Sequence, residues 1–158
     1  MPRPELPALP DDIVDRINAR RGGFNEGLGL MFVHISYTEV RAEIPVGPHL
    51  HQPYGLVHGG VYSSIVETLA STGAAMNAAA VGSSTVGLEN STSFLRAVRE
   101  GTLHAKATPL TRGRRTQVWQ VTITDDDDRV AATGRVRMIC LEAGASVAGE
   151  TVAIKTGS

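Results

Sequence analysis

From Val61 to Ala80 the chain runs twenty residues with no proline and, apart from Glu67, no charge. Ile65, Val66, Leu69 and Met76 recur at helical spacing, and nearly everything between them is Ala, Ser, Thr or Gly. This predicts one long helix, apolar all round and thin-skinned, which other elements can approach from every side. From Leu30 to Val46 apolar and polar residues alternate (Met31, Val33, Ile35 and Tyr37, then Val40, Ala42, Ile44 and Val46). The phase change near Thr38 predicts a turn or bulge between two strands. After Gly82 the segments Val86 to Leu95, Leu103 to Leu110, Thr116 to Thr124 and Val130 to Leu141 also read as strands. Arg112-Gly113 and Asp125 to Asp128 supply turns, and His49 to Val57, with Pro53 and Gly55, is a loop. One buried helix against an antiparallel sheet of five or six strands makes a two-layer α+β domain.

The ends are simpler. The first ten residues read as a loose arm. Asp11 is placed to cap a short helix that carries Ile13, Val14 and Ile17 and ends near Arg21, before Gly22-Gly23. The residues after Glu142 are small and polar and read as a tail without regular structure. The expected division is an arm and short helix over 1–28, one domain over 29–142 and a tail over 143–158.

With 158 residues, 42% hydrophobic and 20% charged, the chain can bury a core without staples. A net charge of -1 speaks against a broad nucleic-acid-binding face. The single cysteine, Cys140, excludes an internal disulfide and is expected to be buried and inert. Pro2, Pro4, Pro7 and Pro10 leave no apolar core for a signal peptide, and Glu67 interrupts the longest apolar stretch. A cytoplasmic location is expected, without membrane or nucleic-acid partners. Asp125 to Asp128 lacks a calcium-loop pattern, and His49, His51 and His58 have no thiol partners, so no metal or other cofactor is expected.

Glu67 is the residue that demands an explanation, because burying a lone carboxylate is costly. It could simply face water or pair with an arginine across an interface. Its helical neighbours Ser63, Ser64, Ala70 and Ser71 are all small, which makes the surface around it a shallow trough. His58-Gly59-Gly60 leads into the same helix, whose first N–H groups lack intrahelical partners and carry positive partial charge. Glycines there let a ligand atom come close, as in a backbone oxyanion hole, although they would serve a tight turn equally well, with His58 as its cap. Gln52, in the preceding loop, can donate to a carbonyl or position a water. Arg96 and Arg99, and Arg112, Arg114, Arg115 and Thr116 around Gly113, suit phosphate oxygens, or else belong to ordinary solvated turns.

The run from Gln52 through His58-Gly59-Gly60 to Glu67 and Ser71 resembles the 4-hydroxybenzoyl-CoA thioesterase family. It is closest to the branch with Gln, His-Gly-Gly and Glu, which includes aryl-CoA and enterobactin-pathway proofreading thioesterases; the phenylacetate-pathway branch more often has Asn and Asp. The resemblance covers roughly Gly29 to Leu141 and implies the hotdog fold, a curved antiparallel sheet wrapped around one central helix. It further implies hydrolysis of an acyl- or aryl-CoA thioester, with coenzyme A as part of the substrate. Glu67 would attack the thioester carbonyl or activate the water that does, and the Gly59 N–H would receive the carbonyl oxygen, with Gly60 beside it. Gln52 would contact the thioester or the water. His58 would orient the loop or help the thiolate leave, and Ser71, where the family often has Thr, would hold the water or the carboxylate. Arg96, Arg99, Arg112, Arg114, Arg115 and Thr116 would bind the coenzyme A phosphates. A homo-oligomer, a tetramer built from two dimers, is implied, with Gln52 and His58 acting on Glu67 of a neighbouring copy. Two alternatives carry weight. A hotdog dehydratase or hydratase of 3-hydroxyacyl thioesters also uses a His and an acid, but this chain lacks the proline-flanked histidine loop of those enzymes. A non-catalytic acyl-CoA-binding protein has no need of Gln52, Gly59 and Glu67 together.

Overall fold

The computed structural model describes residues 5–153. Two short helices, α1 (Ile13–Asn18) and α2 (Gly22–Leu28), precede the strands β1 (Met31–Ile35) and β2 (Val40–Pro45). A single 3-10 turn, Pro48–Leu50, leads to the long helix α3 (Gly59–Ala79). Then come β3 (Ser84–Phe94), β4 (Thr102–Arg112), β5 (Thr116–Thr124) and β6 (Val130–Leu141), and a small hairpin of β7 (Ser146–Val147) and β8 (Glu150–Thr151). The first six strands form one antiparallel sheet in the order β1-β2-β4-β5-β6-β3. The α3 crossover carries the chain from one half of the sheet to the far edge, so β3 becomes an edge strand although it precedes β4 to β6.

The sheet wraps α3 because its inner face mixes large and very small residues. Val40, Ala42, Ile44, Leu103, Ala105, Ala107, Trp119, Val121, Ile123, Ala132 and Val136 all point inward and are buried. They meet Ile65, Val66, Leu69, Ala70 and Ala74 of the helix. Each fully buried large aliphatic side chain contributes about 1.5–3 kcal/mol. Two glycines set how close the layers come. A Cβ at Gly73 would lie 2.5 Å from the Trp119 ring, and one at Gly134 would lie 2.7 Å from Val66. The helix is therefore apolar towards the middle of the sheet, while Glu67 stands at its flank, against the edge strand β3. A six-stranded antiparallel sheet curved around one long helix is the hotdog fold.

The two sheet edges differ. Asn18 accepts from the Phe32 N–H and donates to the Phe32 carbonyl, both at 2.9 Å, so a side chain closes part of the β1 edge at its bulge. The β3 edge is 11 residues long and carries the exposed Leu88 and Phe94. Long uncovered edges invite pairing with another strand.

Four local expectations are corrected. The chain does not stop being helical at Gly22-Gly23. Gly22 takes φ +78 as a stop would, but a second helix starts there and ends at Gly29, whose left-handed φ of 71 closes it. The first helix ends at Asn18, short of Arg21, and its flanking residue is Asp12, not Asp11; Asp12 makes no cap and instead pairs with Arg16 at 2.8 Å. The tail is not structureless as far as residue 153, because Ala148 (φ 52) and Gly149 (φ 83) form the two-residue turn that suits a hairpin; residues 154–158 lie outside the described residues, as do the first four of the arm. Cys140 is partly exposed, not buried. Among the described residues, no helix is long and apolar enough to cross a membrane, and no three His, Cys, Asp or Glu side chains come together as metal ligands would.

Candidate active site

At the start of α3 the His58 cap and the preceding loop occupy some backbone donors and not others. His58 caps the helix, its Nδ1 accepting from the Gly60 N–H at 2.8 Å. The Val61 N–H is taken by the His58 carbonyl at 2.9 Å, and the His58 N–H by the Leu50 carbonyl at 2.9 Å. Among the described residues the Gly59 N–H has no such acceptor. Gly59 lines a pocket of about 270 Å³ whose walls include Gln52, Leu56, Tyr62, Phe94 and Arg96. Glycine at 59 makes room for Phe94: a Cβ there would lie 2.6 Å from its ring, which would have to move aside. The Gln52 side-chain oxygen accepts from the Tyr54 N–H, which leaves its amide NH2 as the group able to donate to a ligand. Because Nδ1 of His58 is an acceptor, a neutral His58 carries its proton on Nε2, the atom that faces away from the helix.

Glu67 sits two turns further on, half-buried. Ser71 Oγ donates to its Oε1 at 2.9 Å and Asn90 Nδ2 donates to its Oε2 at 3.1 Å. Gly87, on the inner face of β3, leaves the carboxylate its room; a Cβ there would stand 2.8 Å from Oε1. The result is an oriented carboxylate beside the open β3 edge, with one lone pair left on each oxygen.

Glu67 and Gly59 do not meet within one chain. Eight helical residues separate them, about 12 Å along the axis. Gln52, His58, Gly59, Gly60 and Arg96 gather at the helix start, whereas Glu67 and Ser71 form a second group at mid-helix. The arginines also divide. Arg99 donates to the Tyr54 and Gly55 carbonyls at 2.7 and 3.1 Å, bracing the loop that carries Gln52. Arg112 donates to Asn77 Oδ1 at 3.1 Å and to the Tyr37 carbonyl at 3.2 Å. Asn77 lies 18 residues beyond Gly59, so the turn holding Arg112, Arg114, Arg115 and Thr116 is about 27 Å away along the helix.

Asn90, Thr92, Phe94 and Tyr62 were not singled out by sequence reasoning. Asparagine is depleted in strands, so Asn90 carried a weak signal. A bulge between Gly87 and Glu89 shifts the alternation of β3, and only the folded register shows that Asn90 and Thr92 face the helix. Tyr62 is 3% exposed, and its hydroxyl has no hydrogen-bond partner among the described residues. Burial, with the negative charge of Asp125 adding to it, pushes its pKa up to about 12, so it stays a neutral phenol. An unsatisfied buried hydroxyl costs about 1–3 kcal/mol. Tyr62→Phe is therefore expected to leave the melting temperature unchanged or raise it by a few degrees; a fall of several degrees in a thermal melt would contradict the unpartnered state.

The comparisons with known proteins agree with this architecture. The family model described as Thioesterase superfamily matches residues 54–132. A Mycobacterium tuberculosis protein named only as a candidate esterase is 47% identical over 122 residues, 76% of this chain and 87% of the relative. Its solved structure superposes with a TM-score of 0.76 at 46% identity, covering 77% of this chain and 98% of the other. The proofreading thioesterase EntH of Cronobacter sakazakii is 35% identical over 115 residues, 73% of this chain and 83% of that protein. A thioesterase structure from Haemophilus influenzae gives a TM-score of 0.76 at 28% identity, covering 82% and 90% of the two chains. Fold and relatives together define a hotdog-fold thioester hydrolase. The chain belongs to the thioesterase superfamily.

Proposed function

We propose that the protein hydrolyses an acyl- or aryl-CoA thioester to the free acid and coenzyme A, at a site that two copies of the chain share. The observation that carries this reading is the pair of half-sites on α3: Gly59 at the helix start, lining a pocket, and a hydrogen-bonded Glu67 carboxylate about 12 Å along the same helix. Neither half is sufficient alone. The β3 edge runs beside Glu67 and is free to pair with β3 of a second copy. Such pairing sets Glu67 of one copy towards Gly59, Gln52 and His58 of the other, twice per dimer by symmetry. Two such dimers would make the tetramer.

In this site the thioester carbonyl oxygen accepts from the Gly59 N–H, where the helix start stabilises the charge that develops on it. Glu67 either takes a proton from an attacking water or attacks the carbonyl carbon itself, forming an anhydride that water then opens. In both cases the C–S bond breaks as the tetrahedral intermediate collapses, and the thiolate of coenzyme A leaves. A thiolate is a good leaving group, so a carboxylate and an oxyanion donor suffice without a Ser-His-Asp triad. Gln52 offers its amide NH2 to the thioester or the water, and His58, with its Nδ1 engaged by the Gly60 N–H, has only Nε2–H to offer the departing sulfur. Arg96 is the arginine on the pocket wall. Arg114, Arg115 and Thr116 would reach the phosphates only from another copy. With Arg99 and Arg112 already engaged by carbonyl oxygens, their part is to hold loops more than to bind phosphate. A cytoplasmic location fits a coenzyme A substrate.

The test is thiol release by the purified protein from aryl-CoA, from short, medium and long acyl-CoA, and from acyl-carrier thioesters. Turnover on at least one coenzyme A thioester is expected, and its ranking gives the acyl preference. Turnover confined to acyl-carrier thioesters would overturn the coenzyme A assignment. Hydration of an enoyl thioester with no thiol released would favour the dehydratase, and tight thioester binding with no reaction the acyl-CoA-binding protein.

A further inference from the structure

We propose that Asn90 is a positioning residue for Glu67, and that Thr92 sets Asn90 in turn; the inference rests on the proposed role of Glu67. A glutamate on a helix has several rotamers, and holding one costs up to about 2 kcal/mol of side-chain entropy. Reaction requires a carboxylate oxygen within roughly half an ångström of a productive position. Ser71 comes from the same helix and grips only Oε1. Asn90 comes from the facing strand and grips Oε2, so the two oxygens are held from two sides.

Every polar atom of the Asn90 side chain is committed. Nδ2 donates to Glu67 Oε2 at 3.1 Å and to the Ser63 carbonyl at 3.0 Å. Oδ1 accepts from Thr92 Oγ1 at 2.7 Å. The Glu67 carboxylate and the Ser63 carbonyl only accept, so they fix the amide with its NH2 towards them; the opposite orientation would set an amide oxygen against both. The Thr92 hydroxyl, which can turn to donate, then holds Oδ1 in that orientation. Asn90 is exposed on an edge strand, where a hydrogen bond adds little to stability. A chain of three side chains ending on the carboxylate is better explained by orientation than by folding.

The experiment compares Asn90→Leu, Asn90→Asp, Thr92→Val and the double variant Asn90→Leu/Thr92→Val with wild type and Glu67→Ala, on the best substrate from the thiol-release panel. Asn90→Leu should lower kcat by about tenfold or more and leave KM within about threefold. Asn90→Asp keeps the shape but places an oxygen against the carboxylate, and should lose at least as much. Thr92→Val should lower kcat by about two- to fivefold alone and add nothing to Asn90→Leu, since both act along one path. Melting temperatures near wild type would show that the variants fold, and Asn90→Asp serves if Asn90→Leu does not. Wild-type kcat in Asn90→Asp, or a change in KM alone, would overturn the inference while Glu67→Ala stays inactive. Full turnover in Glu67→Ala would instead remove the role of Glu67, and this inference with it.

Discussion

Glu67→Ala is expected to abolish thioester hydrolysis, lowering kcat by about 10²–10⁴-fold, the range that one positioned base or nucleophile contributes. The protein should fold and assemble as before. Glu67 is half-buried beside the edge strand β3, and it is not part of the hydrophobic core. Removing it leaves Ser71 Oγ and one Asn90 N–H without their acceptor, but both positions can reach water in a single chain. Steady-state thiol release together with a thermal melt reads both halves of the expectation. Turnover within threefold of wild type would sink the role given to Glu67. Loss of activity with a collapsed melting temperature would make Glu67 a structural residue.

The largest effect on stability is expected at Trp119. Its ring is fully buried, its Nε1 donates to Gln117 Oε1 at 3.1 Å, and the far end of its six-membered ring lies against Gly73 of α3. Trp119→Ala should cost about 3–5 kcal/mol, the usual range for emptying a large aromatic site. That is a large share of the roughly 5–15 kcal/mol that holds a domain together. At this chain length it corresponds to a fall of roughly 10–20 °C in melting temperature. Gly73→Ala tests the same contact from the other side, with a sign that helix propensity alone gets wrong. Glycine to alanine inside a helix normally stabilises by about 0.5–1 kcal/mol. Here the new Cβ would sit 2.5 Å from the indole ring, which calls for overpacking of about 1–3 kcal/mol. A stabilised Gly73→Ala would mean that the helix stands further from the sheet than described.

Periodicity made the large elements legible. The proline-free run after His58-Gly59-Gly60 gave α3 to within two residues at its start and one at its end, because nothing but a buried helix uses that pattern. Alternation gave the six main strands, with boundaries for β5 and β6 that match the fold. Glu67 stood out because a carboxylate in an apolar helix needs a reason. Gly59 stood out because the start of a helix has donors to spare. What could not be read were features set by pairing. Asn90 became visible only once the bulge after Gly87 had turned it and Thr92 towards the helix. The arginines looked like one group in the chain order, yet Arg96 and the Arg114-Arg115 turn lie at opposite ends of α3, a matter of strand length and direction. Helix α2 was hidden because Gly22 carries the signature of a stop, which it obeys for one residue only. The β7–β8 hairpin was hidden because its strands are two residues each and the residues around its turn, Ala148-Gly149, are mostly small.

The central claim is that Glu67 of one copy serves Gly59 and Gln52 of another. Mixing subunits tests it most directly. Glu67→Ala and Gln52→Ala variants are purified separately, shown to be impaired, unfolded and refolded together, and assayed for thiol release against each variant refolded alone. In a shared site, each mixed dimer has one site carrying both substitutions and one site carrying neither. Random mixing then restores about a quarter of wild-type sites, well above either variant by itself. Activity in the mixture no greater than the average of the two variants, with mixed dimers shown to have formed, would contradict the account and place the whole site within one chain.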